Sequence, residues 1–269
     1  MTVPQASSAF ARSDDGPILQ AEGLTRLYGA RVGCADVSFS LWPGEALGIV
    51  GESGSGKSTL LRCLAGLDQP TRGAALFRHD DALRDIFSLP EPARRALMRT
   101  SWGLVHQNPR DGLRMRVSAG GNVGERLMDR GDRHYGRIRA AAADWLARVE
   151  IDVARMDDRP ETFSGGMQQR LQIARALVSG PKLIFMDEPT GGLDVSVQAR
   201  LLDLMRALTR DLGVAAIIVT HDLAVARHLT DRLMVMKDGR VVEEGLTDQV
   251  LDDPQHPYTQ LLTSSVLSA

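Results

Sequence analysis

The residues with the plainest chemistry lie in the stretch G-E-S-G-S-G-K-S at residues 51–58. It fits G-x-x-x-x-G-K-[ST], a loop whose backbone N–H groups curl inward to hold phosphate oxygens. Glycine permits the curl, and a helix opening directly after the loop adds roughly half a positive charge at its N-terminus. The flanks suit this reading: an apolar run, residues 47–50, precedes it, and Leu60, Leu61 and Leu64 follow at helical spacing. Lys57 is expected to contact the β- and γ-phosphates and the Ser58 hydroxyl to be a magnesium ligand. Gly51, Ser53, Gly54, Ser55, Gly56 and Thr59 complete the expected nucleotide contacts. Lysine occurs only at positions 57, 182 and 237, so a lysine at this place is not filler. The stretch implies a bound nucleoside triphosphate.

A second feature is L-I-F-M-D-E-P, residues 183–189, an apolar strand that ends in two acids. A buried strand delivers its last side chains to the carboxyl edge of the sheet, where ligands sit in open α/β folds. There Asp187 would hold Mg²⁺, directly or through water, and Glu188 would orient and deprotonate an attacking water. A third is S-G-G-M-Q, residues 164–168, ahead of a helical stretch carrying Leu171, Ala174, Leu177 and Val178. The N–H groups and hydroxyl around Ser164, Gly165 and Gly166 open that helix and so make an anion site. The guanine-reading N-K-x-D is absent, and no Asn–Lys pair occurs, which argues against a GTPase.

These groups need a sheet covered by helices to place them. Apolar runs bounded by glycine or polar residues alternate with stretches of helical period, the pattern of an α/β fold. Residues 32–41 alternate as a half-buried strand does, while 47–50, 183–186 and 214–219 read as fully buried strands. Between residues 122 and 159 the strand pattern disappears, and Ile138, Ala142, Trp145 and Val149 recur at helical spacing. A helical subdomain over about 109–178 is therefore expected within the sheet-bearing core. Residues 1–16 read as a disordered polar tail with neither the basic start nor the apolar centre of a signal peptide. No run approaches the ~18 apolar residues that span a bilayer, so any membrane enters through a partner. A net charge of −2 gives no basic footprint for nucleic acid, and the expected location is the cytoplasm.

On these motifs and their order, along nearly the whole chain, the sequence resembles the ABC ATPase family. F-S-G-G-M-Q-Q-R, residues 163–170, is similar to its signature motif, and G-G-L-D, residues 191–194, to its D-loop. Gln107 is similar to the Q-loop glutamine, His221 to the switch histidine, and Tyr28 to the aromatic residue that stacks on adenine. The resemblance implies a P-loop NTPase with a RecA-like core sheet, an antiparallel β subdomain and the inserted helical subdomain. It implies one such domain over 17–269, with a C-terminal extension over about 246–269, hydrolysing ATP with Mg²⁺. Gln107 would join Ser58 and Asp187 at the metal and help Glu188 and His221 in catalysis. The signature would close on the γ-phosphate held by a second ATPase, a copy of this chain or a related one, with Asp194 reaching across. Met167 departs from the glutamine common in the family, as it often does in peptide importers.

The segment N-P-R-D-G-L-R-M-R-V-S-A-G-G-N-V-G-E-R-L-M at 108–128, with R-H-Y-G at 133–136, is similar to ATP-binding proteins of phosphonate carbon–phosphorus lyase systems. That implies work on a lyase core complex. Cys34 and Cys63 are too few for the three-cysteine cluster such cleavage uses, so that chemistry would belong to a partner. Between Arg110 and Arg139 arginines outnumber acidic residues, as a solvated face or as a docking surface for an acidic partner, and Arg110, Arg114 and Arg116 are its candidates for contact with the lyase. The tail H-P-Y-T-Q-L-L, residues 256–262, instead resembles the extension of peptide and nickel importer ATPases. An ATPase subunit of a peptide-, nickel- or phosphonate-type importer is therefore the alternative. A DNA-repair or translation ATPase is disfavoured by the short insert and single cassette, and a non-catalytic module by the intact Lys57, Asp187, Glu188 and His221.

Overall fold

The computed structural model describes residues 16–80 and 82–266. The tail expected over 1–16 lies outside the described residues except for Gly16. The chain divides into two compact units, one of residues 1–88 with 220–269 and one of residues 89–219.

The first unit opens with β1 (Leu19–Tyr28) and β2 (Arg31–Leu41), followed by β3 (Ala46–Val50), α1 (Lys57–Leu64), β4 (Arg72–His79) and β5 (Ala82–Asp85). Strands β2, β1, β4 and β5 lie side by side in that order as an antiparallel sheet. The alternation in β2 is the expected one: Val37, Phe39 and Leu41 face the core, while Ser38 and Ser40 do not. In β1 the register slips three times against β2, which scrambles any period-2 signal.

The second unit follows as α2 (Glu91–Thr100), β6 (Trp102–Val105), α3 (Pro109–Gly112), α4 (Ala119–Asp129), α5 (Tyr135–Arg148), α6 (Gly165–Leu177), β7 (Leu183–Asp187), α7 (Val195–Leu212) and β8 (Ala215–Val219). Its strands β6, β7 and β8 pair in parallel, with Val105 opposite Met186 and Asp187 opposite Val219. Both apolar runs are buried along their length, so side chains on both faces are covered, as parallel strands require. Trp102 meets Phe185 edge to face at 5.6 Å, a pairing worth about 0.5–1.5 kcal/mol beyond its buried area. Helix α5 buries Ala142, Trp145 and Leu146 on one stripe, with Val149 buried at its end. Buried Asn122 of α4 donates to the carbonyls of Arg114, Val117 and Ser118 and accepts the Arg114 N–H, which fixes the chain ahead of the helix.

The first unit resumes with α8 (Leu223–Leu229), β9 (Arg232–Lys237), β10 (Arg240–Leu246), α9 (Thr247–Asp252) and α10 (Pro257–Val266). β3 pairs in parallel with β9, so Val50 lies opposite Val235 where β3 runs out into the glycine-rich loop. β9 and β10 are a hairpin turning on Asp238 and Gly239, at φ 49° and 80°. That Asp-Gly pair is the strongest short-range hairpin signal a sequence carries, and it locates two strands that hydrophobic runs alone did not. Val50, Leu223, Ala226, Leu233, Val235, Val250 and Tyr258 form one buried cluster under the end of β3. Among the described residues no helix is long and apolar enough to cross a membrane.

Candidate nucleotide site

In the first unit, residues 51–56 fold as a loop whose glycines are obligatory. Gly51, Gly54 and Gly56 all have positive φ. A Cβ at Gly51 would lie 2.2 Å from the Met236 carbonyl oxygen, and one at Gly56 would lie 2.1 Å from the Gly33 carbonyl oxygen. α1 starts directly at Lys57, so its N-terminal N–H groups open from the loop. Lys57 is buried, and its ammonium donates to the carbonyls of Gly51 (2.7 Å) and Glu52 (2.8 Å) across the loop. Ser53, Gly54 and Ser58 are exposed, while the Ser55 hydroxyl is buried without a hydrogen-bond partner among the described residues. A curled backbone, a lysine tied to its rim and an orphaned hydroxyl suit a polyanion such as a triphosphate.

Beside it, Tyr28 at the end of β1 is 43% exposed, enough to offer a ring face. Its hydroxyl donates to Asp68 at 3.0 Å, and Arg26 lies 4.6 Å from its ring centre. Arg62 of α1 grips the same Asp68 carboxylate with two N–H groups. The Arg62 guanidinium, with the Tyr28 hydroxyl, holds that carboxyl below its ordinary range against the opposing effect of burial. Gly33 leaves the room: a Cβ there would meet Thr59 at 2.7 Å and the Tyr28 ring at 2.9 Å. Arg26, Gly33 and Asp68 were missed in the sequence, where nothing links them to position 28. Thr220 bonds to Ile49 of β3 through its N–H, which sets His221 just past it at the surface.

In the second unit, Asp187 ends β7 and Glu188 follows with φ 44°, a left-handed conformation that a non-glycine residue adopts at a cost of ~1–3 kcal/mol. The turn is held: the Glu188 N–H donates to Val219 of β8, and its carbonyl accepts from Gly191. Gln107, two residues past the end of β6, donates its amide to the Glu188 carboxylate at 2.8 Å, so these two residues meet. Ser164 caps α6 by accepting the Met167 N–H, and Ser164 and Gly165 are exposed. Asp194 stands at the N-terminal boundary of α7 without a side-chain capping bond and is exposed.

Three glutamines on α6 brace this half, a role that the motifs over residues 163–170 do not announce. The buried Gln172 amide accepts the His106 N–H (2.8 Å) and donates to the His106 carbonyl (3.1 Å). Gln169 donates to the Pro189 carbonyl, and Gln168 to the carbonyls of Pro160 and Phe163. The helix opened by Ser164 therefore holds the residue before Gln107 and the residue after Glu188. The available signal was three amides interrupting an otherwise apolar helix face. Among the described residues no cluster of three or more His, Cys, Asp or Glu side chains could hold a metal by itself. Oxygen donors such as Ser58, Asp187 and the Gln107 amide suit Mg²⁺, which takes few protein ligands alongside phosphates.

The family described as ABC transporter matches residues 34–191. An ABC-type ATPase is what this fold and these motifs define, and the chain belongs to the ABC transporter ATP-binding family, whose members bind ATP. It is 64% identical over 251 residues to the phosphonates utilization ATP-binding protein PhnK of Escherichia coli (strain K12), spanning 93% of this chain and 98% of that one. The dipeptide transport ATP-binding protein DppF of the same organism is 38% identical, with 93% of this chain and 76% of that one covered. Among solved structures, the dimeric cassette MJ0796 in its post-hydrolysis state with ADP and Pi superposes with a TM-score of 0.76 at 31% identity, covering 85% of this chain and 98% of that one. ABC ATPases work as such dimers.

Proposed function

We propose that this chain is the ATP-hydrolysing subunit that acts with a carbon–phosphorus lyase core complex in phosphonate breakdown, in the cytoplasm. The observation that carries the reading is the likeness to PhnK across 98% of that protein. The segment after Gln107 adds a surface for it, with Arg110, Arg114 and Arg116 exposed. The alternative, an importer subunit docked on permeases, draws on the likeness to DppF and the tail from His256.

In the proposed cycle, residues 51–59 hold the triphosphate, with Lys57 on the β- and γ-phosphates, and the Tyr28 ring stacks on adenine. The Ser164 hydroxyl and the N–H groups of Gly165 and Gly166 receive the γ-phosphate of a second ATPase, with Asp194 at that interface. Glu188 takes a proton from the attacking water, and Gln107 and His221 keep water and γ-phosphate in place. Ser58, Gln107 and Asp187 would hold Mg²⁺, which offsets negative charge on the phosphates.

The test is a pull-down of tagged Glu188→Gln protein with Mg-ATP from cells grown on a phosphonate. Lyase subunits in the eluate are the expected outcome. Permease subunits without lyase subunits would overturn the reading in favour of the importer.

A further inference from the structure

We infer that Tyr258, in the C-terminal extension, is a positioning residue for ATP binding that acts by bracing the phosphate loop from behind. The inference rests on the proposed role of residues 51–58 as the phosphate cradle.

The Tyr258 hydroxyl accepts the backbone N–H of Glu52 at 3.0 Å. The carbonyl of that same residue accepts the Lys57 ammonium at 2.8 Å. Glu52 is thus held on one side by the lysine and on the other by the tyrosine. The two restraints differ in what happens when nucleotide arrives. The Lys57 ammonium has to share its three N–H donors between phosphate oxygens and the Gly51 and Glu52 carbonyls, so its hold on the loop competes with the ligand. The Tyr258 bond does not compete with the ligand, so the first turn of the loop keeps its curl through the exchange.

Tyr258 is itself well anchored. It is 6% exposed and packs in the cluster with Val50, Val235 and Val250. The Lys237 ammonium lies 5.0 Å from its ring centre. At the start of α10, His256 Nδ1 accepts the Tyr258 N–H. The Glu243 carboxylate on β10 accepts the N–H groups of Gln255 (2.7 Å) and His256 (3.0 Å). A chain of bonds therefore runs from β10 through the start of α10 to the loop.

The test is Tyr258→Phe, which removes the hydroxyl and keeps the ring. KM for ATP is expected to rise about 2- to 10-fold, the worth of one neutral hydrogen bond, with kcat within twofold of the parent. A purely structural tyrosine would leave that ratio of KM to kcat unmoved, so an unchanged KM in a folded variant overturns the inference. If the variant does not fold, Glu243→Gln decides. It loses one of the two N–H bonds at the start of α10 without touching loop or core, and it should raise KM in the same direction; no rise overturns the inference. Lys57→Ala, measured in parallel by ATP binding, separates the two readings. Lost affinity there with an unchanged Tyr258→Phe sinks only the brace, and undiminished affinity in Lys57→Ala sinks the cradle itself.

Discussion

Glu188 carries two features that seldom coincide by chance, a left-handed backbone and a carboxylate already gripped by Gln107. The strained turn sets the acid off the line of β7 while Asp187 stays in register with Val219. With its proton-accepting oxygen replaced, Glu188→Gln should keep ATP binding and the Gln107 contact region but slow hydrolysis by about 10²–10⁴-fold. Single-turnover kinetics check this, and size-exclusion chromatography with Mg-ATP should find the variant trapped as a dimer. Ordinary turnover would remove Glu188 from the role of base. Both acids were legible in the sequence because they end a continuous apolar run. Asp68, which steadies Tyr28, was not, because its two partners reach it only after β1 and α1 pack together.

The legibility of whole elements followed the same physics. Strands β7 and β8 could be read from their apolar runs, and β2 from its alternation, since each signal survives intact in the chain. β1 was unreadable because its register shifts break the period. Helix α6 was read for its apolar residues, yet its function as a brace lies in the amides between them. Gln172→Leu tests that brace. The change keeps approximate volume but takes away the amide oxygen that accepts the His106 N–H, while the His106 carbonyl keeps its 3.5 Å contact with the Gln169 amide. A group so stranded costs about 1–3 kcal/mol, so urea unfolding should register a loss of at least ~1 kcal/mol. Because His106 precedes Gln107, kcat should fall along with stability. A stability loss with full kcat would make the glutamine a core residue only, and Gln172→Glu, which can still accept the His106 N–H, should recover part of the activity.

At the scale of the molecule, a buried ion network ties distant parts of the first unit together. Arg232 of β9 sits with its Nε 3.0 Å from Glu45, which is fully buried just ahead of β3, and its Nη1 3.3 Å from Glu244 of β10. It also donates to the Ser40 carbonyl of β2. No pattern in the sequence announces this, since the three side chains come from separate segments and meet only when the sheets form. Burial pushes the Glu45 and Glu244 carboxyls up, and Arg232 works against that push in both. For a carboxyl raised in the folded state, the favourable contribution is full below the ordinary carboxylate value and is lost as pH rises through the raised one. Removing the cation should enlarge that loss. Arg232→Met is therefore expected to destabilise the protein by about 3–5 kcal/mol near pH 8, the cost of leaving a buried charge unpaired. Near pH 5, where the stranded carboxyls take up protons, the gap to the parent should shrink. Glu45→Gln added to Arg232→Met should restore part of the stability at pH 8 and flatten the pH dependence. Chemical unfolding of parent, single and double variants at both pH values measures all of this. An equal loss for Arg232→Met at pH 5 and pH 8 would mean that lost packing of the arginine stem, rather than stranded charge, sets the cost.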